Sequence, residues 1–153
     1  MGDAFKILPN LHKKYIRGTE KGAFVQLEVV FVCNLTNAVM RSISITHNKV
    51  YVSTKVLKHL YDKRPGEEYD SVVDNLHKVI KYPDHIYKNK EGKKGTFIFM
   101  KKIKGDNYLC SLEIITIETE EKIEVVTGYR IRKDGYMDSY ELLWSWRDGD
   151  PSS

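Results

Sequence analysis

"KVLKHLYDKRPGEEYDSVVDNLHKVIKYPD", residues 55–84, decides the fold class, because it holds two helical periods separated by Pro65 and Gly66. In the second half Tyr69, Val72, Val73, Leu76, Val79 and Ile80 recur at the three- and four-residue spacing that lines one face of a helix. Glu67 and Glu68 suit that helix's positive end and Lys78 and Lys81 its negative end, while Pro83 stops it. In the first half Val56, Leu57, Leu60 and Tyr61 form a shorter stripe that Ser53 or Thr54 can cap. The cations of that helix call for an explanation. On a helical wheel Lys58 falls on the solvated face, His59 and Lys63 stand one turn apart at the border of the stripe, and Arg64 lies nearer the stripe.

The flanking segments read as strands. "AFVQLEVVFVC" (23–33) and "AVMRSISIT" (38–46) are β-branched runs separated by "NLTN", which predicts a hairpin, and "KVYVS" (49–53) leads into the first helix. After the helices come "TFIFMKKI" (96–103), "YLCSLEIITI" (108–117), "KIEVVTGYRIR" (122–132) and "YMDSYELLWSW" (136–146), joined by the turns "KGDN", "ETEE" and "KDG". The plan is α+β: two helices packed on an antiparallel four-stranded sheet meander, with an extra N-terminal β-hairpin. Residues 1–22 are polar and basic without a sustained period and are expected to be an arm; residues 23–148 form one domain and 149–153 a tail.

At 153 residues, with 41% hydrophobic, 11% aromatic and 30% charged residues, the chain is long enough for one core, too apolar and aromatic for a disordered chain, and charged enough to be a soluble one. No run approaches the roughly 20 apolar residues of a membrane span, and "MGDAFKILPN" lacks the basic start and apolar run of a signal peptide. The expectation is a cytoplasmic protein with no membrane partner. Cys33 and Cys110 both fall inside apolar runs, which suits buried, inert thiols rather than a disulfide or metal ligands. Net charge is only +4, but seven lysines lie between Lys88 and Lys104 against Glu91 alone, while "ETEEKIE" (118–124) and the tail from Asp134 are acidic. Such a patch, Lys93 and Lys94 included, suits a polyanionic partner; lysine-rich loops also serve solubility.

No glycine-rich phosphate loop follows a strand, no Cys/His pairs have zinc spacing, and no G-x-S-x-G elbow is present. What remains is a set of His, Lys, Arg, Thr and Tyr that needs no cofactor and no metal. RNA transesterification asks for such a set: a base for the 2′-OH proton, an acid for the 5′-oxygen, and donors around the phosphorane, the nucleophile being the substrate's own. His59 suits the acid or base role by type, since an imidazole titrates near neutrality. Lys101, Lys102, Arg130 and Arg132 are candidates for holding phosphate oxygens, and Thr127 and Tyr129 offer hydroxyls on one strand face. Each has a structural alternative: a half-exposed packing histidine, edge-protecting lysines, a β-forming threonine, a helix-terminal charge at Arg64.

Together, "VSTKVLKHLYDKR", a second helix ending "VIKYPDHIY", "KK" on the next strand and "VVTGY" on a later one resemble the phage-associated branch of the barnase/EndoU/colicin/RelE-like (BECR) nuclease superfamily. The resemblance covers about residues 49–140 and leaves 1–48 as an extension particular to this branch. It implies that His59 fills the helix histidine, Lys101 or Lys102 the strand cation, and Thr127 the hydroxyl of the "vvT" strand. Where related sequences often carry a second histidine, Lys63 or Arg64 stands here. The expected activity is metal-independent endoribonucleolytic cleavage, toxin-like or phage-encoded, with Lys63, Arg64, Lys93, Lys94, Arg130 and Arg132 binding substrate. RNA would be one partner and an immunity or antitoxin protein another. A non-catalytic RNA-binding module and an interaction protein of a mobile element are the alternatives.

Overall fold

The computed structural model describes residues 4–64, 66–91, 95–132 and 135–146. In chain order these form α1 (Ala4–Tyr15), β1 (Val29–Asn34), α2 (Asn37–Ser42), β2 (Lys49–Ser53), α3 (Thr54–Lys63), α4 (Gly66–Lys81), β3 (His85–Lys88), β4 (Phe97–Ile103), β5 (Asp106–Ile117), β6 (Glu120–Ile131) and β7 (Glu141–Ser145). The strands make one mixed sheet in the order β1-β2-β6-β5-β4-β3-β7. No described helix is long and apolar enough to cross a membrane.

The α+β class stands, but the sheet is larger than two helices on four strands and is assembled differently. An antiparallel meander of four strands does exist, running β3-β4-β5-β6. Its first member is the short strand after Pro83. The segment 136–146 begins in turns and ends as β7, which joins not β6 but β3 at the far edge. The N-terminal hairpin is β1 against β2, and the run expected as its second strand is instead helix α2. Thr36 caps α2 by accepting a hydrogen bond from Val39 N, and Ser44 at φ 56° turns the chain out of it. That side-chain cap outweighs the weak β preference of Val39 and Ile43, the two residues the segment buries.

The expected arm is likewise a correction, since residues 4–15 are helix α1. Leu8, Leu11 and Ile16 are buried against the rest of the core, with Tyr15 partly so. Pro9 lies inside this helix and interrupts the local helical pattern, so burial rather than propensity accounts for its formation. His12 packs between Tyr61 and Tyr69, its Nδ1 2.9 Å from the Tyr69 hydroxyl.

The α4 stripe is buried residue for residue: Tyr69, Val72, Val73, Leu76, Val79 and Ile80. It lies on the inner sheet face with Leu57 and Leu60 of α3, above Val50, Phe99, Cys110, Leu112, Ile123 and Val125. Both cysteines are buried and unpaired, and burial pushes the Cys33 thiol up to about 12. The opposite sheet face carries a smaller cluster of Ile98, Leu109 and Met137 with Tyr129 and Tyr140. Close approach of α4 depends on Gly128, where a Cβ would stand 2.8 Å from Leu76 Cδ1.

Two expected outcomes follow from this packing. Gly128→Val should cost about 1–3 kcal/mol of stability, because its branched side chain would overlap Leu76 and crowd Val72 in the buried seam between α4 and β6, and a urea midpoint equal to wild type would contradict the packing. Burial also holds the His12 and His77 imidazoles below their ordinary value. The unfolded chain therefore takes up protons first as pH falls, and stability present above about pH 6.5 declines below it. Urea unfolding at pH 7.5 and 5.5 should show that decline, and His12→Asn should reduce it.

Candidate active site

Ser53 starts α3 by accepting a hydrogen bond from Val56 N, and the helix then runs beside β6. Lys55, Val56 and His59 form one wall of an open cleft of about 370 Å³, and Glu113, Glu124, Val125 and Val126 form the other. Val126 projects there because the β5–β6 register shifts: Val125 faces Leu112, Thr127 faces Ser111, and Val126 is the extra residue of a bulge. His59 is exposed, with no hydrogen-bond or ion-pair partner among the described residues. Lys63, one turn on, is also exposed.

Arg64 ends α3 with its guanidinium 4.7 Å from the Tyr129 ring centroid and its Nε 3.8 Å from Glu68 Oε2. The Tyr129 hydroxyl lies 2.5 Å from that of Tyr136; burial, with this bond, raises its pKa. Thr127 follows Val126 on the strand, half-buried and on the same face as Tyr129. Arg64 thus meets Tyr129, while His59 and Lys63 stand on the helix that packs beside β6 and Thr127 lies on β6 between Val126 and Tyr129.

Four other candidates lie elsewhere. Lys101 faces Tyr108, which faces Arg130. Measured from Phe97, which is level with Leu112 and Val125, Lys101 is about 13 Å along the strand and two strands, about 10 Å, across the sheet. Its Nζ is 3.4 Å from Asp84 Oδ1, while Lys102 N donates to Asp84 Oδ2 at 2.8 Å. Arg130 points to the helix face and pairs with Glu67 at 3.4 Å and Asp106 at 3.8 Å. Arg132 pairs with Glu68 at 2.9 Å. Glu67 and Glu68 thereby engage the two arginines in tying α4 to the sheet. Lys93 and Lys94 lie outside the described residues.

Lys58 is not solvated: it is 6% exposed, and its Nζ donates to Glu20 O and Asp62 Oδ1, both at 2.6 Å. Its neighbour Thr54 is fully buried and donates to Gln26 O at 2.6 Å. The wheel gave no sign of this because the covering segment, residues 16–28, is distant in sequence.

The carboxylates of the cleft were not singled out from the sequence, yet a signal existed. In a hairpin whose turn pairs Ile117 with Glu120, residues equidistant from the turn face each other, so Glu113 stands opposite Glu124. Lys122 Nζ, 3.2 Å from Glu124 Oε2, offsets part of that paired negative charge. Among the described residues no group of three or more His, Cys, Asp or Glu is placed to hold a metal ion.

A helix-borne imidazole facing carboxylates across an open cleft is a recurrent arrangement for acid–base chemistry. A family model described as phage-Barnase-EndoU-ColicinE5/D-RelE like nuclease matches residues 31–137, more than half of the 153-residue chain, and the chain belongs to that family. The match begins in β1, so β1, α2 and β2 belong to the family unit and only the part before residue 31 precedes it. No curated protein and no solved structure matches the chain.

Proposed function

We propose that this member of a nuclease family is an endoribonuclease that cleaves by attack of the substrate's 2′-OH on the adjacent phosphorus. The 2′-oxygen–phosphorus bond forms as the phosphorus–5′-oxygen bond breaks, leaving a 2′,3′-cyclic phosphate and a 5′-hydroxyl. One observation carries the reading: an exposed imidazole and two carboxylates share one cleft. Either Glu113 or Glu124 can accept the 2′-OH proton while protonated His59 gives one to the departing 5′-oxygen; a neutral His59 suits the opposite assignment. Lys55 and Lys63 on α3 would hold the phosphate, with Thr127 and the Arg64–Tyr129 pair at the far end of the same edge. A cleft that merely bound RNA would gain nothing from two carboxylates, which favours turnover over passive binding.

His59→Ala should lose about 10²- to 10⁴-fold in cleavage rate with an unchanged melting curve, because the side chain is exposed and unbonded. Glu113→Gln and Glu124→Gln, assayed separately, should identify the carboxylate by a comparable loss in one of them. Substrate with deoxyribose at the cleavage position should be resistant, and chelator should leave the rate unaltered. Wild-type cleavage by His59→Ala, or cleavage of deoxy substrate, would refute the mechanism.

A further inference from the structure

A second cavity, of about 560 Å³, lies at the other side of the sheet, between the C-terminal end of α4, the start of α2 and strand β7. From β6 to β7 is four strand spacings, about 19 Å, so it is separate from the His59 cleft. Its volume falls in the range of small-ligand sites, roughly 300–1,000 Å³. Tyr82, Trp144 and Trp146 line it together with Lys81 and Lys101.

The lining is exposed and aromatic where water would otherwise favour polar groups. Tyr82 is 58% and Trp146 53% exposed, among the larger apolar exposures of the described residues. The base of the cavity is fixed before any ligand arrives. Asp84 N donates to Met100 O at 2.8 Å, Trp146 N donates to Asp84 O at 3.1 Å, and Asp84 Oδ2 accepts from Lys102 N. The Tyr82-Pro83-Asp84 turn is thereby stapled to β4 on one side and to the end of β7 on the other, with Pro83 buried. Rigid aromatic surface rimmed by ammonium groups suits a flat π-system bearing a phosphate.

We propose that this cavity is a base-binding subsite, taking one unstacked nucleobase of a single-stranded RNA on the Tyr82 and Trp146 rings and its flanking phosphate on Lys81 or Lys101. The inference rests on the reading of the chain as an RNA-cleaving enzyme and adds the form of the substrate: single-stranded, and long enough to reach from the cleft to this cavity. Charge favours nucleic acid over a protein ligand here, because the lysine-rich stretch from Lys88 to Lys104 includes β4, which forms part of the rim. Asp84 offsets Lys101 only in part, at 3.4 Å and with both side chains about a quarter exposed.

The chain has two tryptophans, and both line this cavity, so its intrinsic fluorescence reports on it. A short single-stranded deoxyoligonucleotide, which lacks the 2′-OH, should quench that fluorescence on titration. By anisotropy of a labelled copy, Trp146→Ala and Tyr82→Ala should each weaken binding roughly 5- to 150-fold. Lys101→Gln should lower the slope of log affinity against log salt by about 0.7. Unchanged melting curves establish that the variants are folded. Absence of quenching, wild-type affinity in both aromatic variants, or equal quenching by an acidic peptide would overturn the proposal. RNA cleavage by wild type combined with unaltered binding in the aromatic variants would refute this subsite alone. Weakened binding in those variants with no cleavage by wild type would refute the nuclease reading alone.

Discussion

Strand β2 runs parallel to β6 only where Val50 meets Ile123 and Tyr51 meets Glu124. Much of the molecule depends on how soon that pairing ends. Ser53 caps a helix at once, so the edge of β6 beyond Glu124 is flanked by α3 instead of by a strand. A helix cannot satisfy a strand edge or follow its pleat, and a gap opens where the two diverge. The β6 bulge falls at the same level, pushing Val126 into the wall of that gap. The His59 cleft is thus the seam between a strand that stops and a helix that takes its place.

Elements whose evidence is local were legible in the sequence. The α4 stripe, the α3 stripe and the alternation in β4, β5 and β6 all report a buried face through their own period. Elements that depend on distant partners were not. Pro9 hid α1, whose helical form is supported by the burial of Leu8 and Leu11. Helix α2 differs, since its cap at Thr36 is local, but the buried Val39 and Ile43 lie four apart, a spacing that suits one face of a strand as well as of a helix. The joining of β7 to β3, across the whole meander from β6, has no local signature at all.

The same division holds for the site. The exposed position of His59 was legible because exposure at the border of a helix stripe is a local property. The relation of Lys101 and Lys102 to it was not, because strand order and register set that distance. Arg130 and Arg132 looked like phosphate ligands in isolation, but Glu67 and Glu68, placed by the start of α4, pair with them. Basic residues therefore divide into those with carboxylate partners, Arg130, Arg132 and in part Lys101 among them, and those such as Lys55 and Lys63 on α3 with none among the described residues. Only residues of the second kind retain the greater part of their field for a polyanion.

The helix that carries His59 is gripped from its other flank by the segment that precedes the family match. Gly18 N donates to the Tyr61 hydroxyl at 3.2 Å and Gly22 N to Asp62 Oδ2 at 2.9 Å, while Lys58 Nζ reaches Glu20 O. Thr54 fixes the first turn through Gln26 and Glu28. The hydrogen bond from Lys58 also holds the Asp62 carboxyl below its ordinary range. A helix of 10 residues is short, and short helices hold their shape through tertiary contacts rather than propensity. An exposed imidazole is useful for proton transfer only if its backbone stays put while the side chain meets substrate. Residues 16–28 meet that requirement by bonding to the start, middle and last turn of α3, leaving its His59 edge open.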